Sequence, residues 1–162
     1  MNPKKLSEET WRSCVDSMPI FGIDMIIYSK IFGILMGKRE NDPAKGKLFV
    51  PGGRVYKNEK RVDAFNRILL SETGLKFNFE DTKSMGLYEH FYTTNKWHCK
   101  DIQTHYIIEA RLIELKSNNE DLKINLDDQH SYINWINLYN ISQTDIHEYS
   151  KLYLDKAKEI LS

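Results

Sequence analysis

The sequence lacks the features that mark most secreted, membrane-bound or nucleic-acid-binding proteins. Its two cysteines, Cys14 and Cys99, are too few for a disulfide framework, and no apolar run reaches the length of a membrane span or of a signal-peptide core. The 23 basic and 23 acidic residues cancel, so the chain has no overall field that would attract nucleic acid or an anionic membrane. We therefore expect a cytoplasmic protein that binds neither, and any anionic ligand must be bound by local cations.

Nothing in the sequence divides the chain into parts. It has no internal repeat, no low-complexity tract and no proline-rich linker, and it contains four prolines in all. A chain of 162 residues buries roughly 70% of its unfolded surface without the help of disulfides or metals. Residues 1–162 are therefore expected to form one domain.

The most informative stretch is residues 53–75, where charged residues and glycines follow the frame G-x5-E-x7-R-x4-E-x-G-L. Residues 60–73 are predicted to form a helix, because a glycine follows in the usual C-cap position. The glycine pair before the helix allows a turn that side chains would forbid. An ordinary charged surface helix is the alternative, but it would match the frame at six separated positions only by coincidence. The six residues of the frame are Gly53, Glu59, Arg67, Glu72, Gly74 and Leu75.

One face of this helix carries Ile68, Ser71 and Glu72, which lie at i, i+3 and i+4. The whole frame resembles the Nudix box, in which the positions of Ile68 and Ser71 also carry carboxylates and several divalent ions are held over a diphosphate. Isoleucine cannot ligate Mg2+, and a serine hydroxyl is a poor ligand for so hard a cation. The resemblance therefore implies an α/β Nudix fold, with a mixed β-sheet sandwiched between α-helices, and a site with one Mg2+ per subunit at Glu72.

Hydrophobic patterns place the remaining elements. Helices are predicted at residues 6–18 and 142–161, and strands at 21–29, 31–38, 48–50, 84–93, 104–115 and 132–136. The last helix has an apolar face that would pack on the sheet or on a second subunit. The polar residues 116–129 are predicted to form a solvated loop.

Four residues outside the box are site candidates on their own chemistry. Asp24 interrupts an apolar strand, where a carboxylate is costly unless it is paired or faces a cleft. Arg39 is either a solvated strand end or a bidentate phosphate ligand. Trp11 is either a core anchor or a flat surface on which a nucleobase would stack. His130 lies where a loop meets a strand and is the most pH-responsive group in that region.

Several short segments extend the resemblance beyond the box. They include Gly37-Lys38-Arg39, residues 49–55, His90-Phe91-Tyr92, Thr104-His105-Tyr106 and Asp128-Gln129-His130. Over nearly its whole length the chain thereby resembles the GDP-mannose mannosyl hydrolase branch of the Nudix family, which lacks the same two carboxylates. This resemblance implies Mg2+-dependent hydrolysis of GDP-mannose or a related GDP-hexose. In that reaction, water attacks the anomeric carbon with inversion and expels GDP.

The resemblance also implies roles for individual residues. The Mg2+ ligands would be the carbonyl of Gly52 and the side chains of Glu72 and Gln129, and the ion would stabilise the leaving diphosphate. His130 matches the general base that activates water. The other residues matched to catalysis are Arg39 and Tyr106 at the diphosphate, and Asp24 and His90 near the sugar. Those matched to substrate binding are Lys5, Leu6, Trp11, Arg39, Arg54 and Arg67. Arg67 has the alternative role of bracing the box through Glu59.

Two other functions stay open at this point. An ordinary Nudix pyrophosphohydrolase would cleave a P–O bond of a nucleotide sugar, and a non-catalytic Nudix-fold module would only bind one. The resemblance also implies a homodimer, in which the N-terminal arm reaches toward a substrate site. The hexose is not fixed, because residues 95–101 do not follow the family pattern.

Overall fold

The computed structural model describes residues 6–39, 45–95, 97–116, 133–139 and 145–162, which are built around a seven-stranded sheet. The strand order is β3-β2-β1-β6-β5, and in addition β4 pairs with β1 and β7 pairs with β2. The strands are β1 Ile20–Ser29, β2 Gly33–Lys38, β3 Leu48–Phe49, β4 Gly52–Arg54, β5 Lys83–Tyr92, β6 Thr104–Leu115 and β7 Ile133–Ile136. The β1–β6 pair is parallel and the other pairs are antiparallel, so the predicted mixed sheet is confirmed.

Three α-helices accompany the sheet. They are α1 Glu8–Ser17, α2 Arg61–Thr73 and α3 Glu148–Leu161, and a short 3-10 helix spans Phe79–Asp81. The ends of these helices have ordinary causes in the sequence. The Ser7 hydroxyl accepts from the backbone N–H of Thr10, and Gly74 ends α2 in the left-handed conformation with φ 70°. No helix in the described ranges is long and apolar enough to cross a membrane.

The central strand β1 is buried on both faces, which explains its nearly continuous run of apolar residues. Ile23, Met25 and Ile27 contribute to one core, together with the buried face of α2. Ile26 contributes to the opposite core, together with the buried face of α3. The predicted arrangement of a sheet between helices is therefore confirmed. Since side chains alternate along a strand, Asp24 belongs to the α3 side, with Ile26.

The turn predicted at the glycine pair is wrong, because Gly52–Arg54 pair with β1 as the strand β4 and neither glycine has a positive φ. The last helix and the second strand also start later than predicted. The last helix begins at Glu148 and not at residue 142, because residues 145–147 form a bridge to β3 instead. The N–H of Leu48 donates to the carbonyl of Asp145 over 2.8 Å, and the N–H of His147 donates to the carbonyl of Leu48 over 3.1 Å. The second strand begins at Gly33 and not at residue 31, because the Ser29 hydroxyl accepts from the backbone N–H groups of Ile31 and Phe32 and forms a turn. Residues 132 and 142–144 lie outside the described ranges.

Candidate functional site

The loop before α2 is braced by the glutamate and the arginine of the box frame. Arg67 Nε donates to Glu59 Oε1 over 2.7 Å, and Arg67 Nη2 donates to Glu59 Oε2 over 2.8 Å and to the carbonyl of Arg54 over 2.9 Å. The Glu59 carboxylate also accepts from the backbone N–H of Tyr56. Its hydrogen bonds with Arg67 are the main reason that the pKa of Glu59 lies below its usual range. The structure thus shows the bracing role of Arg67, while its contact with a diphosphate stays a prediction.

A column of aromatic rings and guanidinium groups stands beside this brace. The Cζ atoms of Arg67 and Arg54 lie 3.9 and 4.4 Å from the centroid of the Tyr56 ring. Arg54 Cζ lies 4.9 Å from the centroid of the Trp11 ring, so the same guanidinium contacts both aromatic residues. Trp11 is half-buried and does not belong to either described core cluster. It therefore covers Arg54 instead of anchoring the core, and nucleobase stacking on it stays a prediction.

The structure describes all three residues on the face of α2 that carries the altered box positions. Ile68 is 1% exposed, and its side chain lies 3.3 Å from a Cβ built on Gly53, so it packs directly against Gly53 of β4. Ser71 is exposed, and its hydroxyl donates to the carbonyl of Ile68 over 3.1 Å. Glu72 is half-buried one turn beyond Ile68. Of these three residues only Glu72 carries a charge, since an apolar core side chain fills the first position and a hydroxyl bonded to the helix backbone fills the second.

Asp24 is positioned beside the predicted metal ligand Gly52. The pairing of β1 with β4 places the two residues opposite each other, and a Cβ added to Gly52 would overlap Asp24 Oδ1. A glycine is therefore required at position 52 for the carboxylate to approach the backbone this closely. The prediction that Asp24 is paired or faces a cleft is consistent with this placement, because Asp24 keeps some exposure.

A tyrosine hydroxyl joins Asp24 to His90. The hydroxyl of Tyr153 donates to Asp24 Oδ2 over 2.9 Å and lies 2.8 Å from His90 Nε2. Loss of water on burial raises the pKa of Asp24 to about 7, although the hydrogen bond from Tyr153 and the charge of Arg39 oppose this effect. Burial, with the nearby His147, lowers the pKa of His90 to about 4, so this imidazole is neutral near pH 7.

Arg39 supplies the positive charge of this region. It forms a side-chain hydrogen bond with Tyr106, and its charge acts on Asp24 and Tyr92 as well. Burial raises the pKa of both Tyr106 and Tyr92, so both hydroxyls keep their protons at neutral pH and are available as donors. The guanidinium lies over the Phe49 ring, with Cζ 5.2 Å from the centroid. The structure thus brings Arg39, Tyr106 and Asp24 together, while the roles predicted for them stay predictions.

An aromatic wall borders the same region, formed by β5, β3 and the start of α3. The rings of His90 and Tyr149 are stacked with their centroids 4.0 Å apart, and those of Phe49 and His147 are stacked at 4.4 Å. Tyr92 lies between the two stacks, 5.4 Å from Tyr149 and 5.6 Å from His147. Such a wall has flat apolar faces with polar groups at their edges, which suits the ring and the hydroxyls of a sugar.

Some of the predicted site residues are not part of this picture. Lys5, Gln129 and His130 lie outside the described residues, so their predicted roles stay predictions. Leu6 is 38% exposed, just ahead of α1. In the part of the chain that the structure describes, no group of three or more His, Cys, Asp or Glu side chains is arranged to hold a metal. The Gly52 carbonyl and the Glu72 carboxylate are nevertheless oxygen donors of the kind that Mg2+ prefers.

Sequence reasoning missed several residues of the candidate site on α3 and around it. Tyr153 belongs to the apolar helix face predicted to pack on the sheet or on a second subunit, but its buried hydroxyl also bridges two site residues. One signal could have found it. A carboxylate inside an apolar strand needs a donor, and a tyrosine on the apolar face of a helix that packs on the same sheet can supply one. His147 and Tyr92 had no comparable signal, because only the fold brings them beside Arg39.

Comparison with known proteins places the chain in a family. The model of the NUDIX domain matches residues 18–156. The chain belongs to the Nudix hydrolase family. A relative from Haloferax volcanii, the low-salt glycan biosynthesis protein Agl8, is 33% identical over 151 residues, which are 93% of this chain and 90% of the relative.

Solved Nudix structures share the fold at low sequence identity. The MutT protein from Methanosarcina mazei is 16% identical with a TM-score of 0.68, over 90% of this chain and 99% of that chain. The NUDIX domain of Shewanella oneidensis NrtR, complexed with ADP ribose, is 13% identical with a TM-score of 0.65, over 97% of this chain and 100% of that chain. A bifunctional NMN adenylyltransferase/ADP ribose pyrophosphatase from Francisella tularensis, complexed with AMP and a Mn ion, is 18% identical with a TM-score of 0.68, over 96% of this chain and 45% of that chain. These likenesses establish the fold.

Proposed function

We propose that this Nudix hydrolase cleaves GDP-mannose or a related GDP-hexose at the anomeric carbon and releases GDP and the free sugar. In the proposed step, the oxygen of water forms a bond to C1 of the sugar. The bond between C1 and the diphosphate oxygen breaks, its electron pair leaves with GDP, and the proton of water passes to a base. Attack from the face opposite GDP inverts the anomeric centre.

The observation that carries this proposal is the buried Ile68. Hydrolysis of a P–O bond by several metal ions requires carboxylates that hold the ions on both sides of the phosphate. In this chain the first of those positions is an apolar side chain packed under Gly53, and the next is a serine bonded to the helix backbone. The face retains a single carboxylate at Glu72, which fits a site for one ion.

The polar groups near Gly52 are proposed to stabilise the leaving group. Bound Mg2+ would offset the charge that builds on the departing diphosphate, with Gly52, Glu72 and Gln129 as its proposed ligands. Arg39 and Tyr106 hydrogen-bond to each other in the ligand-free protein and would turn to the diphosphate oxygens. A guanidinium and a protonated phenol are both donors, so each gains strength as negative charge develops on the leaving group.

The sugar is proposed to lie against Asp24 and the aromatic wall of His90, Tyr149, Tyr92, His147 and Phe49. An oxocarbenium-like transition state carries positive charge at C1 and the ring oxygen, and the Asp24 carboxylate would stabilise that charge. His130 is proposed as the base that accepts the proton of water. Residues Lys5, Leu6, Trp11, Arg54 and Arg67 are proposed to contact the nucleotide portion of the substrate.

The named relative supports a substrate from carbohydrate metabolism. The relative from Haloferax volcanii is called a glycan biosynthesis protein, and glycans are assembled from activated sugars. A nucleotide sugar is therefore a sensible substrate class for a chain that is 33% identical to it. The same chemistry requires a cation-lined place for the diphosphate, which Arg39 and Arg54 can provide in a chain without net charge.

The proposal is tested by the products and by the position of the incoming oxygen. The protein is incubated with GDP-mannose and Mg2+ in oxygen-18 water, and the products are separated and weighed by mass spectrometry. We expect GDP without label and a free hexose labelled at C1, and we expect Glu72→Gln to abolish most of this activity. GMP with a sugar 1-phosphate would show P–O cleavage, and no product from any GDP-hexose tested would show a binding module. Either outcome overturns the proposal.

A further inference from the structure

Tyr153 occupies a central and fully enclosed place in the candidate site. Its side chain comes from the second turn of α3, is 0% exposed, and ends between β1 and β5. The hydroxyl lies 2.9 Å from Asp24 Oδ2 on β1 and 2.8 Å from His90 Nε2 on β5. One hydroxyl thus connects two residues that the proposed function places at the sugar.

The hydrogen count of this bridge fixes the state of the imidazole. A tyrosine hydroxyl has one proton to donate, and when Asp24 is ionised this proton goes to the Asp24 carboxylate. The contact with His90 Nε2 must then be a bond in which the histidine donates and the tyrosine oxygen accepts. His90 is therefore the neutral tautomer with its proton on Nε2, and its Nδ1 is left as the acceptor nitrogen.

The surrounding packing holds each member of the bridge in place. The His90 ring is stacked on Tyr149, with 4.0 Å between centroids and 8° between planes. The Tyr149 hydroxyl accepts from the N–H of Phe91 over 2.8 Å and donates to the carbonyl of Phe91 over 2.9 Å, which fixes α3 to β5. The Tyr88 ring packs edge-on against the Tyr153 ring at 4.8 Å. The tyrosine ring has no freedom to leave its two partners.

We propose that Tyr153 is a positioning residue, which orients the Asp24 carboxylate beside Gly52 and fixes the tautomer of His90 so that both present defined polar atoms to the sugar. This proposal rests on the proposed function for its catalytic consequence, but the tautomer is a property of the ligand-free protein. A hydroxyl that acts only through its two neighbours should affect the rate of the chemical step more than the affinity for substrate. The binding energy of the nucleotide is not altered by its loss.

The test compares Tyr153→Phe with Tyr88→Phe, a control that removes one hydroxyl from the neighbouring ring. The Tyr88 hydroxyl donates only to the carbonyl of Met85 over 3.3 Å, away from Asp24 and His90. Nitrogen-15 NMR of the histidine rings is recorded on the metal-free proteins at pH 8, and kcat and KM are measured with a GDP-hexose. In the unsubstituted protein and in Tyr88→Phe, we expect the Nε2–H tautomer of His90 and full turnover. In Tyr153→Phe we expect a mixture of tautomers and a kcat lowered by about 10- to 100-fold, with KM within about threefold.

Several results would overturn the proposal. An Nδ1–H tautomer in the unsubstituted protein would do so at once, and this measurement needs no variant to fold. Tyr153→Phe with an unchanged tautomer and an unchanged kcat would also do so. An equal loss in Tyr88→Phe would show that the hydroxyls matter only for packing. If no GDP-hexose is hydrolysed at all, the proposed function fails, while the NMR comparison still decides whether Tyr153 sets the state of His90.

Discussion

Restoring the first missing carboxylate of the box, by Ile68→Glu, should damage the protein instead of improving it. The isoleucine is 1% exposed within the core between α2 and β1. Its removal gives up roughly 1.5–3 kcal/mol of burial. A carboxyl group enclosed in the same place must either stay ionised at high cost or take up a proton at neutral pH, and a pKa raised by about 3 units costs about 4 kcal/mol at pH 7. The sum of about 5.5–7 kcal/mol is comparable with the whole stability of a typical domain, which is about 5–15 kcal/mol.

The measurement is urea unfolding followed by circular dichroism, with Leu70→Glu as the matched control. Leu70 lies two residues further along the same helix and is 48% exposed, so a glutamate there meets water. We expect Leu70→Glu to change the free energy of unfolding by less than about 1 kcal/mol. For Ile68→Glu the loss should also depend on pH. A buried carboxyl has a higher pKa in the folded state than in the unfolded state, so the variant protein is most stable at acid pH. This stability is lost as the pH rises through the folded-state pKa.

The response of Ile68→Glu to Mg2+ decides whether position 68 faces the core. If Mg2+ restores its stability to that of Leu70→Glu and creates pyrophosphohydrolase activity, then position 68 faces the metal site and not the core. The same conclusion would follow if both variants unfolded at the same urea concentration without metal. In either case the packing of Ile68 under Gly53 could no longer be the reason for a one-ion site.

Four further outcomes are expected. Glu59→Gln should lower the free energy of unfolding by roughly 1–3 kcal/mol, because it weakens charged hydrogen bonds, and should leave Mg2+ affinity unchanged. Glu72→Gln should instead act mainly by lowering Mg2+ affinity. His90 favours its neutral form in the fold, with a pKa of about 4 against an ordinary 6.5. Relative to His90→Gln, the protein should therefore lose about 3 kcal/mol of stability as the pH falls from 6.5 to 4, measured by urea unfolding. Gly52→Ala should displace Asp24 and lower kcat by about 10- to 100-fold. Light scattering of the unsubstituted protein should show a homodimer.

Each of these outcomes has its own contradiction. Equal loss of Mg2+ affinity in the Glu59 and Glu72 variants would contradict the assignment of Glu59 to bracing the loop and of Glu72 to binding the metal. A flat difference in stability between pH 6.5 and 4 would show that His90 is not held neutral by burial. The control for Gly52→Ala is Gly37→Ala, where, among the described residues, the nearest atom to an added Cβ is Ile133 Cγ1 at 3.6 Å. Equal activity of Gly52→Ala and Gly37→Ala would contradict the role given to Gly52. Full activity of a monomer at assay concentration would contradict the expected homodimer.

The fold was largely predictable from the sequence, because its elements are marked by local signals. The strand predicted at residues 104–115 coincides with β6 Thr104–Leu115, whose apolar residues face both layers. The box frame placed α2 to within one residue, since Gly74 supplies an unambiguous end. The start of α3 was predicted six residues too early. There a backbone bridge to Leu48 competes with the helix, and this bridge depends on a contact between residues about 100 positions apart.

The candidate site was predictable only where one residue's chemistry was out of place in its own segment. Asp24 stood out because an ionised group interrupts an apolar strand, and Ile68 stood out because it breaks a charged frame. The partners of Asp24 could not be read from the sequence in the same way. Tyr153 follows it by 129 positions and has an apolar setting on its helix, so its hydroxyl gives no local signal.

The two layers of the sheet explain why the chemistry divides as it does. Alternation along β1 directs Ile23 toward α2 and Asp24 toward α3. The neighbouring strand β4 places Gly53 opposite Ile23 and Gly52 opposite Asp24. The glycine at 53 lets Ile68 pack closely from one side, and the glycine at 52 lets the Asp24 carboxylate approach from the other. The box helix can therefore lose carboxylates to the core without losing the site. The polar groups proposed to act on the substrate would then come from the opposite layer, where Tyr153 and His90 meet Asp24.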